Sequence, residues 1–280
     1  MNEADIDLPE TRIVPVASWG GIDLREVFEY RDLLYFMIWR GLKVQYAQSI
    51  GGLAWALIQP AMQIILFAVV FGGLLGLDAD GRNYFLLVTL AVIPWSYMSS
   101  TLDGTSQCLV TNSALMAKVY FPRATFLLIQ VFGNLVPFLV SQVITIAVMF
   151  YYQVPLTSQI FLLPVVLLLM MLVPLSIGVW LASLAIRFRD FRIAMGMVMR
   201  MLIYTVPVMY QSDKIPDDLR QWYILNPFVG VIEGFRACFL GYDYPIQWDS
   251  LLTSAVITSV LLISGSVYFR RMERVIVDVI

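Results

Sequence analysis

The sequence predicts an all-α integral membrane protein with six transmembrane helices, and three observations lead to that prediction. First, 60% of the 280 residues are hydrophobic, 14% are charged and the mean hydropathy is +0.79, whereas about 25% of the residues in soluble domains are charged. Second, several uncharged stretches reach the roughly 20 apolar residues that a helix needs to cross a bilayer. Third, the basic residues gather on one side of the resulting arrangement, as cytoplasmic segments of membrane proteins do.

The uncharged stretches define the spans. No charged residue lies between Lys43 and Asp78 or between Arg123 and Arg187, and the second gap is long enough for two spans separated by a polar turn. Arg200 is the one charged side chain that falls inside a predicted span. The six predicted spans are residues 53–75, 84–102, 124–150, 160–186, 193–210 and 251–269.

Two segments precede the first span. Residues 1–23 are acidic and contain proline but no basic region followed by an apolar core, so we expect a cytosolic tail rather than a signal peptide. Residues 24–43 place apolar positions at helical spacing with charges between them. This pattern predicts an amphipathic helix in the membrane interface, with a cytosolic helix packed on protein as the alternative. Residues 51–280 then make up the transmembrane domain.

The distribution of positive charge orients the chain. With both termini in the cytoplasm, 14 of the 18 Lys and Arg residues lie inside, and only Arg82, Lys214, Arg220 and Arg236 lie outside. Inverting the arrangement would reverse that bias, against the rule that cytoplasmic loops carry the excess of Lys and Arg. The sequence therefore predicts cytoplasmic termini.

Residues 216–241, between the fifth and sixth spans, are predicted to form two short helices on the external side. Asn226 supplies an N-cap, Pro227 suits the first helical position, and a glycine follows the apolar run. Glu233 and Arg236 are three residues apart and can pair on one helix face. Such a hairpin can dip into the outer leaflet or rest on the surface, and the pattern alone does not separate the two.

The absence of certain residue types from the sequence argues against several classes of function. The chain contains no histidine, which excludes histidine triads, histidine metal sites and histidine proton relays. The spans contain no Asp or Glu, which argues against ion-coupled carriers, although a carrier that binds sodium through unwound backbone stays open. No Gly-Lys dipeptide is present, so the chain has no phosphate-binding loop. Energy for uphill transport would have to come from another chain.

A membrane-embedded enzyme is the competing class. It would need a nucleophile and a base, or metal ligands, near one membrane face. Ser99, Ser100, Thr101 and Asp103 end the second span, but serine and threonine at such positions more often bond to backbone or to a neighbouring helix. We therefore expect no catalytic residues and no metal site in this chain.

Some span residues are candidates for lining a transport pathway. Aromatic rings near span ends are typical of an interfacial belt, but a ring facing a pathway can stack on the apolar face of a sugar. Arg200 can either extend to the cytoplasmic headgroups or point into the pathway. The candidates are Trp55, Phe67, Trp95, Tyr97, Arg200, Tyr204 and Tyr210.

Amide and hydroxyl side chains also occur inside the spans. They are Gln59, Gln63, Asn134, Ser141 and Gln142. Hydrogen bonding between helices is the ordinary role for each of them taken singly.

Residues 106–123, which we call the coupling segment, connect the second and third spans. The segment is too polar to cross the bilayer, and the positive-inside bias places it in the cytoplasm. Because both of its ends are fixed by spans, a force on the segment would move both spans. The residues predicted to transmit that force are Gln107, Leu109, Asn112, Leu115, Lys118, Phe121, Pro122 and Arg123.

Five short runs, in order along the chain, carry a family resemblance. They are RGLKVQY at 40–46, GGLAWALIQP at 51–60, KVYFPR at 118–123, RFRDFR at 187–192 and LNPFVGVIEGFR at 225–236. Together they resemble the permease subunits of ABC-type polysaccharide exporters, and most closely those that export lipid-linked O-antigen. Exporters of capsular polysaccharide and teichoic acid share this architecture and remain alternatives.

That resemblance implies a homodimer of six-span subunits with two copies of a separate ABC ATPase, which binds ATP and Mg. The complex would move undecaprenyl-linked glycan from the cytosolic to the outer leaflet of the bacterial inner membrane. Within the coupling segment, the resemblance implies a coupling helix at about residues 106–118 that docks on the ATPase. It also implies that the two helices in residues 216–241 act as a gate, for which the candidates are Asn226, Pro227, Glu233 and Arg236.

Overall fold

The computed structural model of the protein describes residues 29–47, 49, 51–76, 83–116, 122–188, 190–241 and 244–279, and all of their side chains except 192, 193 and 273–279. The predicted cytosolic tail, the first five residues of the predicted interfacial helix (24–28), and Lys118 and Phe121 of the coupling segment lie outside the described residues.

All regular structure in the described ranges is helical. In chain order the α-helices are α1 (Arg31–Tyr46), α2 (Trp55–Phe67), α3 (Tyr84–Thr111), α4 (Ser113–Met116), α5 (Ala124–Gly133), α6 (Leu135–Tyr151), α7 (Leu163–Arg187), α8 (Phe191–Leu202), α9 (Asp217–Ile224), α10 (Pro227–Leu240) and α11 (Trp248–Val279). Short 3-10 helices lie at Gly52–Ala54, Ser158–Leu162, Ile203–Thr205 and Ser212–Lys214, and a π-helix, Ala68–Leu74, extends α2.

Five helical stretches are long and apolar enough to cross a membrane. They are Gly52–Leu74, Tyr84–Thr111, Ala124–Tyr151, Ser158–Arg187 and Trp248–Met272. The helices α9 and α10 meet the same criterion only as a pair, and they are bent by 97° at their junction. The described chain is thus a multi-pass helical protein with five spans, or six if the bent pair is one broken span.

α3 is the central helix. In its most apolar stretch, 78% of the residues are buried within the protein, against 22% to 33% in the other four spans. Leu90, Ala91 and Met98 are fully buried, and α2, α5, α6, α7 and α10 all pack around the helix. α3 has the lowest mean hydropathy of the five spans, at 1.5, and buries Thr89, Thr101 and Thr105 completely. Hydroxyl-bearing residues of this kind favour contacts between helices over contacts with lipid.

The outer helices expose apolar stripes. On α6, Leu139, Val143, Ile146 and Phe150 are all more than half exposed, at 57% to 86%. Their spacing of three and four residues places them on one helix face. In a membrane protein such a face meets the lipid tails.

α1 packs one face against the rest of the protein and exposes another. Leu33 and Met37 pack against the cluster of buried residues that includes α5. Tyr35, Phe36 and Trp39 are 61% to 71% exposed. The helix therefore combines packing on protein with an exposed aromatic surface of the kind found at membrane interfaces.

α3 is longer than the predicted second span. It continues past Asp103 to Thr111, and Asn112 is its C-cap. Its 28 residues correspond to about 42 Å of helix, against about 30 Å of hydrocarbon. Asp103 does not end the helix, because its carboxylate accepts a hydrogen bond of 2.8 Å from Gln107 one turn later. The first part of the coupling segment is therefore the end of α3, and among the described residues of the segment α4 is the one separate short helix.

The predicted fifth span, 193–210, is shorter in the structure than the sequence predicts. α8 has 12 residues and continues for three more as a 3-10 helix to Thr205, so it falls short of the roughly 20 residues that a span needs. Val206 is extended, with φ −122° and ψ 145°. The cause is Pro207, since the residue before a proline is driven out of the helical conformation.

α10 is a buried helix. Of its 14 residues all but Phe239 are buried, which contradicts the alternative of a loop resting on the surface. α10 packs against α3, α7 and α11. The approach to α11 is close, because a Cβ on Gly230 would collide with the carbonyl oxygen of Ser250. α10 is therefore part of the core of the molecule, whereas α9 has no buried residue.

Candidate functional site

The helix α10 carries a buried ion pair. Glu233 and Arg236 are each 1% exposed, and the Arg236 Nη1 atom lies 3.2 Å from Glu233 Oε1. The two charges lie three residues apart on one helix face. Buried charges are costly unless they are paired and hydrogen-bonded, so the surroundings of this pair decide what it does.

The Glu233 carboxylate accepts two hydroxyl groups. Ser212 Oγ donates to Oε1 at 2.6 Å, and the phenol of Tyr244 donates to Oε2. Burial raises the pKa of the Tyr244 phenol and the Glu233 carboxylate raises it further, while Arg236 lowers it. The phenol therefore stays protonated and remains a donor. Glu233 in this way joins α10 to the segments on both sides of the hairpin.

The Arg236 guanidinium donates to three backbone carbonyls. Nε reaches Leu87 O at 3.3 Å, Nη1 reaches Tyr210 O at 3.3 Å and Nη2 reaches Val208 O at 3.4 Å. Val208 and Tyr210 belong to the non-helical stretch that follows Pro207, whose carbonyls have no helical partner. Non-helical backbone at membrane depth is tolerated only where protein satisfies it. Arg236 supplies hydrogen bonds to the carbonyls of Val208 and Tyr210 and, through its bond to Leu87, also holds the stretch against α3.

The start of α10 is fixed by the residues that the sequence predicts for it. Asn226 Oδ1 accepts from the Phe228 amide at 3.2 Å, and Pro227 is the first helical residue. The Asn226 amide nitrogen lies 3.3 Å from both the carbonyl and the hydroxyl oxygen of Thr205. Asn226 thereby ties α10 to the end of the 3-10 turn after α8.

The seven predicted pathway residues do not gather at one place. Phe67 and Trp95 are buried in the core, where their rings make edge-to-face contacts with Phe71 at 5.9 Å and with Phe228 at 5.8 Å. Neither ring borders the polar space described below. These two side chains are best explained by packing.

Arg200, Tyr204 and Tyr210 lie on and after α8. Arg200 is exposed, and its Nε donates to the carbonyl of Gly196 on its own helix at 3.0 Å. Tyr204 is 65% exposed, and its carbonyl accepts from the Tyr210 hydroxyl at 3.1 Å. Arg200 therefore faces outward from the helical core, among the exposed apolar side chains of α8.

Tyr97 borders a partly enclosed space between α2, α3 and α6. This space, which we call the polar cavity, measures about 270 Å³. A second opening beside it shares Gln45, Tyr46 and Gln59 and is also lined by Trp55. The polar cavity is lined by Gln45, Tyr46, Ala56, Gln59, Pro60, Gln63, Ile93, Ser96, Tyr97, Ser99, Ser100, Asn134, Pro137, Phe138 and Ser141. None of these residues is charged.

The coupling segment begins inside the protein. Leu109 is 1% exposed and packs in a cluster with Cys108 and Phe126, against which Leu115 of α4 also rests. The Asn112 side chain donates to the Cys108 carbonyl at 2.7 Å and so closes the end of α3. Displacement of this segment would therefore act on α3 and α5 together.

The other coupling residues lie at the two ends of the segment. Gln107 donates to Asp103 on the preceding turn of α3. Pro122 is buried, and Arg123 is the N-cap of α5. No group of three or more His, Cys, Asp or Glu side chains that could hold a metal ion occurs in the described part of the chain.

Comparison with known proteins identifies relatives along nearly the whole chain. The family model of the ABC-2 type transporter matches residues 32–240. The O-antigen export system permease protein RfbA of Myxococcus xanthus is 27% identical over 249 residues, which are 88% of this chain and 94% of that protein. A protein of the same description from Klebsiella pneumoniae is 24% identical over 243 residues, 86% of this chain and 92% of its own length.

Proposed function

The chain belongs to the ABC-2 type transporter family, and on that premise we propose that it is the permease subunit of an ATP-driven exporter of O-antigen-like, lipid-linked polysaccharide. The observation that supports this cargo most directly is similarity to O-antigen export permeases over 88% of this chain and 94% of the relative. Similarity over whole proteins favours a shared role more strongly than one matching motif does.

In this proposal the energy comes from a separate ABC ATPase. The chain has no Gly-Lys dipeptide and hence no phosphate-binding loop of the Walker type. ATP and Mg would bind the partner, with two ATPase copies serving two copies of this permease. The permease itself performs no covalent chemistry, and the lipid-linked glycan is its cargo.

The proposed location is the bacterial inner membrane with both termini in the cytoplasm. Five spans alone would place the termini on opposite sides, so a sixth crossing is needed. α8 with its 3-10 turn and the following non-helical stretch are the elements we assign to it. The carbonyls of Val208 and Tyr210 in that stretch are bonded to Arg236, which is how non-helical backbone is accommodated within a bilayer.

The two ends of α3 would then have different roles. At its cytoplasmic end, Gln107, Leu109, Asn112 and the rest of the coupling segment receive motion from the ATPase. Near its outer end, the α9–α10 hairpin acts as a gate, and Arg236 contacts α3 directly at Leu87. A rigid helix between the two ends supplies a mechanical connection between ATP hydrolysis and the gate.

ATP hydrolysis by purified components tests this division of labour. The chain alone in lipid nanodiscs should show no specific ATP turnover, and turnover should appear when the partner ATPase is co-purified with it. Specific turnover by this chain alone would contradict the proposal. So would a failure of any co-expressed ABC ATPase to co-purify with it.

A further inference from the structure

The amide side chains that line the polar cavity have no hydrogen-bond partners among the described residues. Gln59, Gln63 and Asn134 all line the cavity, and none of them makes a side-chain hydrogen bond to another described residue. Helix-to-helix hydrogen bonding, their ordinary role in a membrane, is therefore not what these amides do here. Gln59 is exposed, and Gln63 and Asn134 are half-buried, so all three amides are accessible to a molecule in the cavity. Polar groups at membrane depth need such a partner.

Three serine hydroxyls of the cavity behave differently. Ser96, Ser99 and Ser141 donate to carbonyls of their own helices at 2.7 to 3.2 Å. Their donors are used, but their oxygen lone pairs remain available as acceptors. Each carboxamide offers both donors and an acceptor. The wall thus presents donors and acceptors interspersed, which complements a ligand rich in hydroxyl groups, since each hydroxyl also donates and accepts.

The absence of charged side chains in the cavity wall disfavours ionic occupants. None of its lining residues is acidic or basic, and phosphate groups and ions inside membranes are matched by opposite charge or by a metal. A lipid phosphate would find no Arg or Lys among the lining side chains. The occupant that the walls favour is therefore neutral.

Aromatic rings supply an apolar surface beside these polar groups. Tyr97 and Phe138 line the cavity and contact each other at 5.5 Å, edge to face. The Tyr97 hydroxyl is held by the carbonyl of Val131 at 3.0 Å, which fixes its ring in place. Tyr46 and Trp55 flank the adjoining opening. Flat rings next to amides suit a pyranose, which has an apolar C–H face and a rim of hydroxyls.

The size of the cavity agrees with such a ligand. Its volume of about 270 Å³ equals that of about nine water molecules at about 30 Å³ each. This exceeds what a single ion or one bridging water would fill, and it is far smaller than a polymer. The space accommodates a short part of a glycan.

We propose that the polar cavity between α2, α3 and α6 binds a neutral sugar unit of the cargo through Gln59, Gln63 and Asn134. This site rests on the proposed export function, because that function supplies the glycan. It lies within one protomer and requires no residue of a second copy. Binding at this site holds a sugar against α3, the helix that connects the coupling segment with the α9–α10 hairpin.

Leucine substitutions test the site without weakening membrane insertion. Gln63→Leu and Asn134→Leu nearly preserve side-chain size and remove hydrogen bonding, and leucine favours insertion. The double variant should lower the rate of glycan export by about tenfold or more, since two hydrogen-bonding side chains are lost. Gln142→Leu is the matched control, because Gln142 is an intramembrane amide of α6 that does not line the cavity. An unchanged export rate in the double variant would overturn the proposal, as would an equal loss in the control.

Photocrosslinking in intact cells identifies the occupant. A diazirine amino acid is placed at Gln63, or at Ile146 on the exposed stripe of α6, in cells whose glycan carries a tritiated sugar and whose phospholipids carry ³²P. The proposal predicts tritium on the permease from Gln63 and none from Ile146. Only ³²P at Gln63, or no adduct there, would overturn the sugar site. Surface glycan is measured in the same cells, so its absence in the wild type would instead count against the export function.

Discussion

At the residue scale, Arg236 connects more parts of the molecule than its position on one short helix implies. Its guanidinium bonds Glu233 on α10, the Leu87 carbonyl on α3, and the carbonyls of Val208 and Tyr210 in the non-helical stretch. A planar group with five donors suits this arrangement, whereas an ammonium group does not have the same fork geometry. Any movement of α10 relative to α3 has to break or exchange some of these bonds.

Removing the guanidinium should destabilise the protein strongly. Arg236→Met would leave the Glu233 carboxylate buried at 1% exposure without its cation, and breaking such a pair costs about 3–5 kcal/mol. Thermal unfolding of the purified protein in detergent should show a clearly lower Tm. The double variant Glu233→Gln with Arg236→Met should lose less than the two single losses combined, because the isolated charge is gone.

An exposed ion pair provides the control for that measurement. Arg31 and Asp32 lie 3.8 Å apart, with side chains 67% and 98% exposed. Exposed pairs contribute little because solvent screens them, so Asp32→Asn should leave Tm unchanged. Equal unfolding temperatures for Arg236→Met and the wild type would show that the buried pair does not hold the hairpin.

At the element scale, α3 is the part of the fold on which transport would depend. The helix is continuous over 28 residues, so an axial or tilting displacement at Thr111 is carried toward Tyr84. Tyr84 in turn donates to the Met209 carbonyl at 2.6 Å. Both Tyr84 and Arg236 therefore connect the first turn of α3 to the non-helical stretch before the hairpin.

Breaking the last turns of α3 should uncouple ATP hydrolysis from export. Proline at Leu109 removes a backbone donor and clashes with the preceding turn, at a cost of about 3 kcal/mol or more. Leu109→Ala is the matched variant, since it loses about 2–5 kcal/mol of packing at this buried site but keeps the helix. We expect glycan exported per ATP hydrolysed to fall sharply in Leu109→Pro and to stay near the wild-type ratio in Leu109→Ala.

The two variants also separate coupling from simple instability. If export per ATP were the same in Leu109→Pro as in Leu109→Ala at matched protein levels, the continuity of α3 would not be what transmits the motion. The assignment of residues 106–111 to coupling would then be wrong.

At the scale of the whole molecule, topology is the main question. The two native cysteines, Cys108 and Cys238, are 2% and 1% exposed and form no disulfide. Both thiols are therefore poor reporters of which side they occupy. Exposed aspartates on either side of α8 are better positions for introduced thiols.

Introduced cysteines should show opposite accessibility at these positions. Asp190 precedes α8, Asp218 lies on α9, and both are exposed. The proposed orientation predicts that a membrane-impermeant maleimide labels Asp218→Cys in intact spheroplasts and Asp190→Cys only in inverted vesicles. The wild type should remain unlabelled in both preparations. Labelling of Asp190→Cys from outside would contradict the proposed orientation, and labelling of both variants from the same side would contradict a crossing between the two positions.

How far the sequence predicts this structure depends on the kind of signal. Uncharged runs locate the spans because charge in a bilayer is costly, and Asn226 with Pro227 locates the start of α10 because capping is a local interaction. The early end of α8 also had a local signal in Pro207, which the hydropathy pattern concealed. The extension of α3 past Asp103 had a weaker local signal: Gln107 follows Asp103 by one helical turn, and its amide can donate to the Asp103 carboxylate.

The candidate site was less predictable because it depends on contacts between distant segments. Glu233 and Arg236 can be paired from their spacing, but nothing in the sequence connects Arg236 to Leu87, 149 positions away. Gln59, Gln63 and Asn134 are recognisable as intramembrane polar residues. Their convergence on one cavity depends on how α2, α3 and α6 pack, and the local pattern does not contain that information.

The central claim is that this chain is the membrane pathway of an ATP-driven glycan exporter, and surface glycan in a deletion strain tests it most directly. Cells that lack this chain are complemented with it, together with its ATPase or with an ATPase whose phosphate-binding lysine is replaced. The account predicts that lipid-linked glycan accumulates on the cytoplasmic side and reaches the surface only when the permease and the active ATPase are both present. Normal surface glycan without this chain, or full complementation with the inactive ATPase, would contradict it.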